Sequence, residues 1–300
     1  MDNNKSTVKI LLVGNKGQIG REIEELAAAR GCVVYGFDVD SLDITDLAQV
    51  EDCFNKHGNN VDVVINAAAY TAVDKAEDDV VQAYAVNCDA VKNLALMCHK
   101  YNLPLLHIST DYVFSGEKDT PYNEQDVTSP LGVYGKSKLA GEEILAQNWE
   151  KHVILRISWV FGKYGNNFVK TMLRLAKERE ELRVVGDQHG CSTAAADVAR
   201  VLLLIAEQII AGKPKWGIYN YCGWPATTWY EFAEKILELG RKKYVLKLKQ
   251  LHKITTAEFP TKAKRPKNSE LFVNKIIIDY SVARHNWIDY LQSTISEIEI

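Results

Sequence analysis

The first half of the chain contains five short apolar runs, and segments with helical periodicity separate them. The runs span 8–13, 32–37, 61–66, 103–108 and 152–157. Each run is almost continuously apolar, which is typical of strands buried on both faces of a parallel sheet. Strands that alternate with helices predict an α/β fold, with a Rossmann-type parallel sheet that is doubly wound by helices on its two faces.

The helical segments between these strands have recognisable ends. Apolar residues on one face over 19–27 predict the first helix, and Gly31 follows it as a stop. A second, short helix is predicted to begin at Thr45 and to end near Gly58. Longer helices are predicted over 79–101 and 134–147.

The pattern changes after the fifth predicted strand. Thr228 and Glu231 have the spacing of a capping box, and Gly240 marks the end of the helix that they begin. Irregular aromatic and basic stretches separate the helices in this part of the chain, so we expect a smaller region of mixed structure. The helices predicted here span 167–180, 194–211 and 228–239.

Composition and charge narrow the class of protein. Hydrophobic residues make up 47% and charged residues 25%, which are ordinary shares for a globular protein. The net charge of -3, without a basic half, argues against nucleic-acid binding. The apolar run 201–206 is too short to span a bilayer, and 1–5 leads into the first strand without an apolar leader, so we expect no membrane association. Six cysteines without zinc-site spacing favour a reducing cytoplasm and predict no metal site.

A glycine-rich loop follows the first strand and opens the first helix. Gly14, Gly17 and Gly20 permit a tight turn, a close backbone approach to a pyrophosphate, and packing of the helix on the sheet. The start of the helix adds free N–H groups for the phosphates. Asp38 ends the second strand. A carboxylate at this position accepts a hydrogen bond from a ribose hydroxyl and favours NADH. Lys16 or Arg21 could instead accommodate the additional phosphate of NADPH.

These signals together predict two domains. The dinucleotide-binding domain is expected to comprise 1–165 together with roughly 190–215. The smaller, mixed C-terminal domain is expected to bind the substrate and to comprise 166–189 and 216–300.

Three residues have the chemistry of a carbonyl reductase. Tyr134 and Lys138 are four residues apart on a predicted helix, so both project from one face. An ammonium beside a phenol is expected to lower the pKa of the phenol and to make it a better acid catalyst. Thr110 follows the fourth strand, and ligands of such sheets bind beyond the carboxyl ends of the strands. We therefore predict that Thr110, Tyr134 and Lys138 are catalytic.

Beyond these residues, the chain resembles the extended short-chain dehydrogenase/reductase family. The likeness extends over nearly the whole sequence, and the stretch 66–77 is much more specific than the glycine loop. The matching segments are 14–20, 66–77, 109–114, 134–142, 158–160, 165–168, 186–188 and 265–269.

The resemblance implies reduction by NADPH or NADH of the C4 ketone of a dTDP-linked 4-keto-6-deoxy sugar, with Tyr134 as proton donor and Lys138 also binding the ribose. It further implies a possible homodimer, and a possible Mg²⁺ ion by likeness alone. The residues that it implies for the cofactor are Gly14, Gly17, Gln18, Ile19, Gly20, Asp38, Asp43, Ile44, Ala69, Tyr70, Thr71, Tyr134 and Lys138. Those that it implies for the substrate are Thr110, Asp111, Trp159, Asp187, Gln188 and Arg265.

Two alternatives stay open at this point. The first is a nucleotide-sugar dehydratase or epimerase on the same scaffold. A dehydratase needs a further acid and base, and here Tyr112 follows Asp111 where resembling dehydratases carry a second carboxylate. The second is a non-catalytic regulatory subunit that resembles the beta subunit of methionine adenosyltransferase, against which the match over 72–77 argues.

Overall fold

The computed structural model describes residues 7–300, so the predicted leaderless stretch 1–5 lies outside the described residues. The strands are β1 (Lys9–Val13), β2 (Val33–Phe37), β3 (Val63–Asn66), β4 (Leu105–Thr110), β5 (His152–Ile157), β6 (Val160–Phe161), β7 (Glu181–Val185), β8 (His189–Gly190), β9 (Thr193–Ala194), β10 (Gly217–Tyr221), β11 (Thr227–Thr228) and β12 (Gln250–Ile254). The helices are α1 (Gln18–Ala29), α2 (Leu47–His57), α3 (Val73–Ala76), α4 (Val80–Tyr84), α5 (Ala90–Tyr101), α6 (Val133–Asn148), α7 (Phe168–Glu178), α8 (Ala195–Ile210), α9 (Trp229–Gly240), α10 (Asn274–Tyr280) and α11 (Trp287–Glu297).

A six-stranded parallel sheet forms the centre of the molecule, in the order β10-β5-β4-β3-β1-β2. Its register pairs Val13 with Asn66, Asn66 with His107, and Thr110 with Ile157. Asn66 at the end of β3 therefore lies beside His107, and β4 continues three residues further to Thr110 at the carboxyl edge of the sheet. The predicted Rossmann-type, doubly wound α/β fold is confirmed.

Helices cover both faces of the sheet. Ile10 and Leu12 belong to the apolar cluster on one face, whereas Leu11 and Val13 belong to the cluster on the other. Successive side chains of a strand point to opposite faces, so a strand buried on both faces must be apolar at every position. This requirement explains the continuous apolar runs of the sequence.

Two of the predicted helices differ from the structure. Asp46, not Thr45, caps α2, because its carboxylate accepts hydrogen bonds from the backbone N–H groups of Ala48 and Gln49. The Thr45 hydroxyl instead donates to Asp43 at 2.7 Å. The segment predicted as one helix over 79–101 consists of α4, a wide π turn at Ala85–Asp89, and α5.

The later helices confirm the capping box, since Thr228 accepts from the Glu231 backbone and Glu231 accepts from the Thr228 backbone. Helices α7, α9 and α11 share a separate apolar cluster. Strand β10 pairs with β5 in the central sheet, although its residues fall within the segment predicted for the smaller domain. The two-domain division stays a prediction. Among residues 7–300, no helix is long and apolar enough to cross a lipid bilayer.

Candidate active site

The glycine-rich loop joins β1 to α1 and presses against the segment that follows β3. Gly14 has φ +80°, and a Cβ on it would lie 2.5 Å from the Ala68 backbone nitrogen. A Cβ on Gly20 would lie 2.1 Å from the carbonyl oxygen of Gly14. Gly17 precedes α1 without a side-chain cap, so the first N–H groups of the helix stay available to an anion. This cradle fits the pyrophosphate of a nicotinamide dinucleotide.

Gln18 and Ile19 form the first turn of α1, and Gln18 accepts a hydrogen bond from Asn167 at 3.0 Å. Asn167 also caps α7 through the Lys170 backbone N–H. This hydrogen bond links the start of α1, where the phosphates of the cofactor are expected, to the start of α7.

Asp38 directly follows β2 and turns its carboxylate towards the glycine loop. One oxygen accepts from the Lys16 backbone N–H at 3.0 Å, and the other accepts from Val39 N–H at 2.8 Å. The Lys16 ammonium forms an ion pair with Asp40. The loop therefore presents a carboxylate, which suits a ribose hydroxyl, beside an ammonium, which suits a ribose phosphate. Asp43 and the buried Ile44 follow on the same connection.

The segment Ala69, Tyr70 and Thr71 is held by a buried asparagine that the sequence analysis missed. Asn87, in the π turn, accepts from the Tyr70 backbone N–H at 2.9 Å and donates to the Tyr70 carbonyl oxygen at 3.1 Å. Its amide also donates to the Ser137 hydroxyl of α6 at 3.0 Å. The available signal was a polar asparagine in an otherwise apolar helical stretch. The structure shows that this asparagine lies in a π turn, a feature that is frequent at functional sites.

Tyr134 lies in the first turn of α6, and a residue distant in sequence caps the start of that helix. Gly132 has no side chain to cap it, and the Val133 backbone N–H donates instead to the Glu77 carboxylate at 2.8 Å. A Cβ on Gly132 would lie 2.6 Å from that carboxylate oxygen. The Tyr134 ring contacts the Tyr112 ring edge-on, with 5.7 Å between centroids. Glu77 and Tyr112 together orient the first turn that carries Tyr134.

The phenol of Tyr134 faces Thr110, as predicted for the two residues. Burial raises the pKa of Tyr134, and hydrogen bonding by the Thr110 side chain acts in the opposite direction. The predicted lowering of this pKa is therefore wrong for the protein by itself, because loss of hydration disfavours the phenolate more than its neighbours favour it. The phenol stays protonated at neutral pH, which is the form that donates a proton.

Asp111 lies beside these groups and is buried. The Thr110 hydroxyl donates to one of its carboxylate oxygens at 3.0 Å; the other oxygen makes no hydrogen bond of good geometry among the described residues, but the Ser269 hydroxyl lies near enough to lower the pKa of the carboxyl group. Burial raises the pKa of Asp111 to about 7. An unpartnered polar oxygen at the carboxyl edge of the sheet is a place for a hydroxyl of a bound sugar.

Lys138 lies one helical turn beyond Tyr134 and its side chain is almost completely buried. Its Nζ donates to the Ile108 carbonyl oxygen at 2.7 Å and lies 3.3 Å from Nε2 of His107. Burial lowers the pKa of Lys138 to about 8, and the Glu142 carboxylate acts in the opposite direction. Glu142 in turn forms a buried ion pair with Arg156, at 2.6 Å.

Trp159 lies at the border with the later region. Its backbone has φ +46°, its side chain is buried, and its ring stacks on that of Trp229 with 3.8 Å between centroids. A Cβ on Gly190 would lie 2.6 Å from the Trp159 ring. Trp229 is a further aromatic residue of this border that the sequence analysis missed.

The three residues predicted for the nucleotide end have two different sets of hydrogen-bond partners. Asp187 and the buried Gln188 both bond to Thr256, which donates to Asp187 and accepts from Gln188. Arg265 forms an ion pair with Asp74 at 2.7 Å and reaches the Tyr112 hydroxyl at 3.4 Å, and the Lys267 carbonyl oxygen of the same loop accepts from the His189 backbone N–H.

A small cavity lies between Tyr134 and the loop that carries Arg265. Tyr112, Tyr134, Gly132, Lys264 and Pro266 are among the residues that line it. The cavity therefore borders both the phenol and the basic loop. Within residues 7–300, no group of three His, Cys, Asp or Glu side chains is arranged to hold a metal ion.

The chain is similar to known proteins over nearly its whole length. A family model described as the RmlD substrate binding domain matches residues 8–300. The dTDP-4-dehydrorhamnose reductase of Aggregatibacter actinomycetemcomitans is 46% identical, over 93% of this chain and 95% of that protein. The reductase of the same name from Escherichia coli K12 is 40% identical, over 93% of this chain and 94% of that protein. The crystal structure of dTDP-4-dehydrorhamnose reductase from Bacillus anthracis in complex with NADP has a TM-score of 0.89 and 34% identity, and the match covers 97% of this chain and 99% of that chain.

Proposed function

The chain belongs to the family described as the RmlD substrate binding domain, and on this basis we propose that it reduces dTDP-4-dehydro-L-rhamnose to dTDP-L-rhamnose with NADPH or NADH. The observation that supports the proposal is that Thr110 ends β4 and faces Tyr134 of α6, while Lys138 of the same helix bonds to the Ile108 carbonyl oxygen of β4. The relatives with this name match almost the full length of the chain.

The reduction requires a hydride and a proton at the C4 carbonyl group. The nicotinamide cofactor supplies the hydride when it is bound. The Tyr134 phenol donates the proton to the ketone oxygen as negative charge develops there, since burial keeps it protonated at neutral pH. The Thr110 hydroxyl lies beside the phenol and orients the same oxygen. Lys138 binds the ribose and faces the phenolate that Tyr134 leaves behind.

The substrate is held by groups on either side of the phenol. Asp111 accepts a sugar hydroxyl with its unpartnered oxygen. Arg265 binds the pyrophosphate, because a guanidinium matches phosphate oxygens with two parallel hydrogen bonds. To do so it exchanges the Asp74 carboxylate for a phosphate. Trp159 packs on the sugar at the border with the later region, while Asp187 and Gln188 serve the nucleotide end.

The assignment of the cofactor residues extends the same proposal. The dinucleotide-binding domain, 1–165 with roughly 190–215, holds the cofactor, and the smaller domain, 166–189 with 216–300, holds the dTDP-sugar. The proposed cofactor contacts run from the glycine loop through Asp38, Asp43 and Ile44 to Ala69–Thr71.

The experiment that tests this function measures oxidation of NADPH and NADH with a panel of 4-keto-6-deoxy nucleotide sugars. Tyr134→Phe removes the donated proton, so we expect turnover to fall by about 10²- to 10⁴-fold while cofactor affinity stays near that of the unchanged protein. Tyr101→Phe is the matched control, since Tyr101 lies on α5 and its hydroxyl donates to Asn55 at the surface. Near-normal turnover in Tyr134→Phe would overturn the role of Tyr134.

The panel also decides between this function and its alternatives. An epimerase would show tightly retained NAD after purification and no net oxidation of NADPH. A regulatory subunit would show no turnover with any sugar of the panel. Either result would overturn the reductase.

We also propose that the protein works in the cytoplasm as a homodimer, without a membrane or nucleic-acid partner. The buried cysteines Cys53, Cys98, Cys191 and Cys222 are free thiols, which a reducing compartment preserves. Light scattering of the purified protein tests the dimer, and the same measurement with EDTA and with added Mg²⁺ tests whether an ion supports it.

A further inference from the structure

The side chain of Asn167 joins three segments that meet at the start of α1. Its Oδ1 atom accepts from the Lys170 backbone N–H at 3.2 Å, and its Nδ2 atom donates to the Gly162 carbonyl oxygen at 2.7 Å. The same Nδ2 atom donates to Oε1 of Gln18 at 3.0 Å, across 149 residues of the chain. The cap of α7 uses only the first of these hydrogen bonds, so the other two need a separate explanation.

The two backbone partners fix the orientation of the Asn167 amide. A backbone N–H can only donate and a carbonyl oxygen can only accept, so Lys170 identifies the oxygen end and Gly162 identifies the NH₂ end. The second hydrogen of that NH₂ group is directed at Gln18, since the Tyr164 carbonyl oxygen is the more distant alternative at 3.4 Å. The Gln18 amide therefore presents its carbonyl oxygen to Asn167.

The NH₂ group of Gln18 is then the end of the amide that faces away from Asn167. Among residues 7–300, no other residue accepts a hydrogen bond from it. Gln18 is also the first residue of α1, where the backbone N–H groups have no partner within the helix. The side-chain donor and the backbone donors thus share the helix end where a pyrophosphate is expected.

The loop that precedes α7 restrains the Gln18 side chain from a second direction. Gly165 has φ +61°, and a Cβ on it would lie 2.8 Å from Cγ of Gln18. The same loop is anchored two turns further along α1, where Lys163 and Tyr164 bond to Glu25 at 2.9 and 3.0 Å. The Gln18 stem is therefore packed against a loop that is itself attached to α1, and Asn167 fixes its amide.

We propose that Asn167 is a positioning residue for the cofactor, because it orients the Gln18 amide so that the NH₂ group donates to a pyrophosphate oxygen. An unrestrained glutamine loses rotamer freedom when it binds, and the reversed amide would set its carbonyl oxygen against the phosphates. Asn167 orders the donor before the cofactor arrives. The inference rests on the proposed function only in that a nicotinamide dinucleotide binds the glycine cradle, and it requires no sugar.

The first test measures the Kd of NADH and of ADP-ribose for Asn167→Ser by calorimetry. Serine caps a helix about as well as asparagine, so the cap of α7 is kept while the donor to Gln18 is lost. We expect both Kd values to rise about five- to tenfold, because a hydrogen bond to a charged group is weakened. Unchanged Kd values would overturn the proposal. ADP-ribose has the pyrophosphate without the nicotinamide, so a loss with NADH alone would overturn the assigned acceptor.

A double-variant cycle separates positioning from a structural role. Gln18→Ala removes the donor itself, and we expect it to raise the Kd of NADH about tenfold or more. Asn167→Ser added to Gln18→Ala should then change Kd by less than about twofold, since no amide is left for Asn167 to orient. Additive losses would overturn the proposal, because they would show that Asn167 acts on the cradle without Gln18.

Asn286→Ser is the matched control for the substitution. Asn286 caps α11 through the Ile288 backbone N–H at 2.9 Å, as Asn167 caps α7, and it has no contact with Gln18. We expect this variant to bind NADH and ADP-ribose like the unchanged protein. A rise in Kd equal to that of Asn167→Ser would overturn the proposal, because the loss would then follow from the change of a helix cap.

A measurement on the unchanged protein keeps the question open to test if Asn167→Ser does not fold. The ¹H–¹⁵N signals of the Gln18 side-chain NH₂ group, assigned by their loss in Gln18→Ala, should shift when ADP-ribose is added. Signals that stay in place would overturn the proposal. If no sugar is reduced, the proposed function fails, but the Kd of NADH still tests Asn167.

Discussion

The buried ion pair between Arg156 and Glu142 allows a quantitative prediction about both the fold and the site. Their side chains are 3% and 2% exposed, and the guanidinium donates to the carboxylate at 2.9 and 2.6 Å. Ser109 also donates to Glu142, at 2.5 Å. The Nη1 atom of Arg156 has no hydrogen-bond partner among the described residues, so the guanidinium depends on Glu142 for its charge compensation.

Glu142→Gln keeps the shape of the side chain but leaves the Arg156 charge buried without a counter-ion. Such a loss costs about 3–5 kcal/mol of the free energy of unfolding. With the usual unfolding entropy per residue, a chain of 300 residues loses about 1.6 °C in Tm for each kcal/mol, so a cost of about 4 kcal/mol corresponds to about 6 °C. Urea unfolding followed by circular dichroism measures the free energy, and a thermal scan measures Tm.

A double variant separates the loss of pairing from the loss of packing. In Glu142→Leu with Arg156→Met, both charges are gone, and we expect a stability within about 1–2 kcal/mol of the unchanged protein, since apolar pairs often replace buried ion pairs without loss. The reasoning would be refuted if Glu142→Gln unfolded at the same urea concentration as the unchanged protein. It would also be refuted if the double variant were less stable than Glu142→Gln, because the cost would then come from packing.

Three further predictions concern the glycine loop, the Asp111 carboxyl group and the basic loop that carries Arg265. Gly20→Ala places a Cβ 2.1 Å from the Gly14 carbonyl oxygen, so we expect calorimetry to show at least about a tenfold loss of cofactor affinity, and unchanged affinity would argue against the cradle. Burial raises the pKa of Asp111 from 3.8 to about 7, so the folded state binds the extra proton between these values and the free energy of unfolding falls as pH rises through that window. Asp111→Asn should lack this decline when urea midpoints at pH 5 and pH 8 are compared, and equal slopes would contradict the shift. Asp74→Asn frees Arg265 from its ion pair, so we expect KM for the nucleotide sugar to fall severalfold with kcat unchanged, whereas a higher KM would count against Arg265 as the phosphate ligand.

Part of the site could be predicted because its signals are local. The glycine loop lies between a strand and a helix that are adjacent in sequence, and Thr110 follows directly from the end of β4. Tyr134 and Lys138 share a helical face because of their spacing alone. Their roles, like the cofactor and substrate contacts, stay predictions until the experiments above are done.

Other features could not be read from neighbouring residues. The buried Asn66 contacts His107 across 41 residues of the chain, and His107 contacts Lys138 across 31. Burial raises the pKa of Tyr134, against the lowering that we expected from Lys138, and spacing does not reveal burial. Glu77 caps α6 across 56 residues because Gly132 leaves room for it.

The sequence by itself determined the sheet, since strands buried on both faces must be apolar at every position, and such runs are visible without coordinates. It also determined which chemical groups lie at the carboxyl ends of strands, because each group follows its strand, whereas the order of the strands in the sheet came from the structure. Only the tertiary structure decided the joining of β10 to the sheet, the turning of Arg265 towards Asp74 and the chain from Asn66 through His107 to Lys138. These depend on contacts between residues distant in sequence, and the charge of a buried group is set by all the neighbours that replace its water.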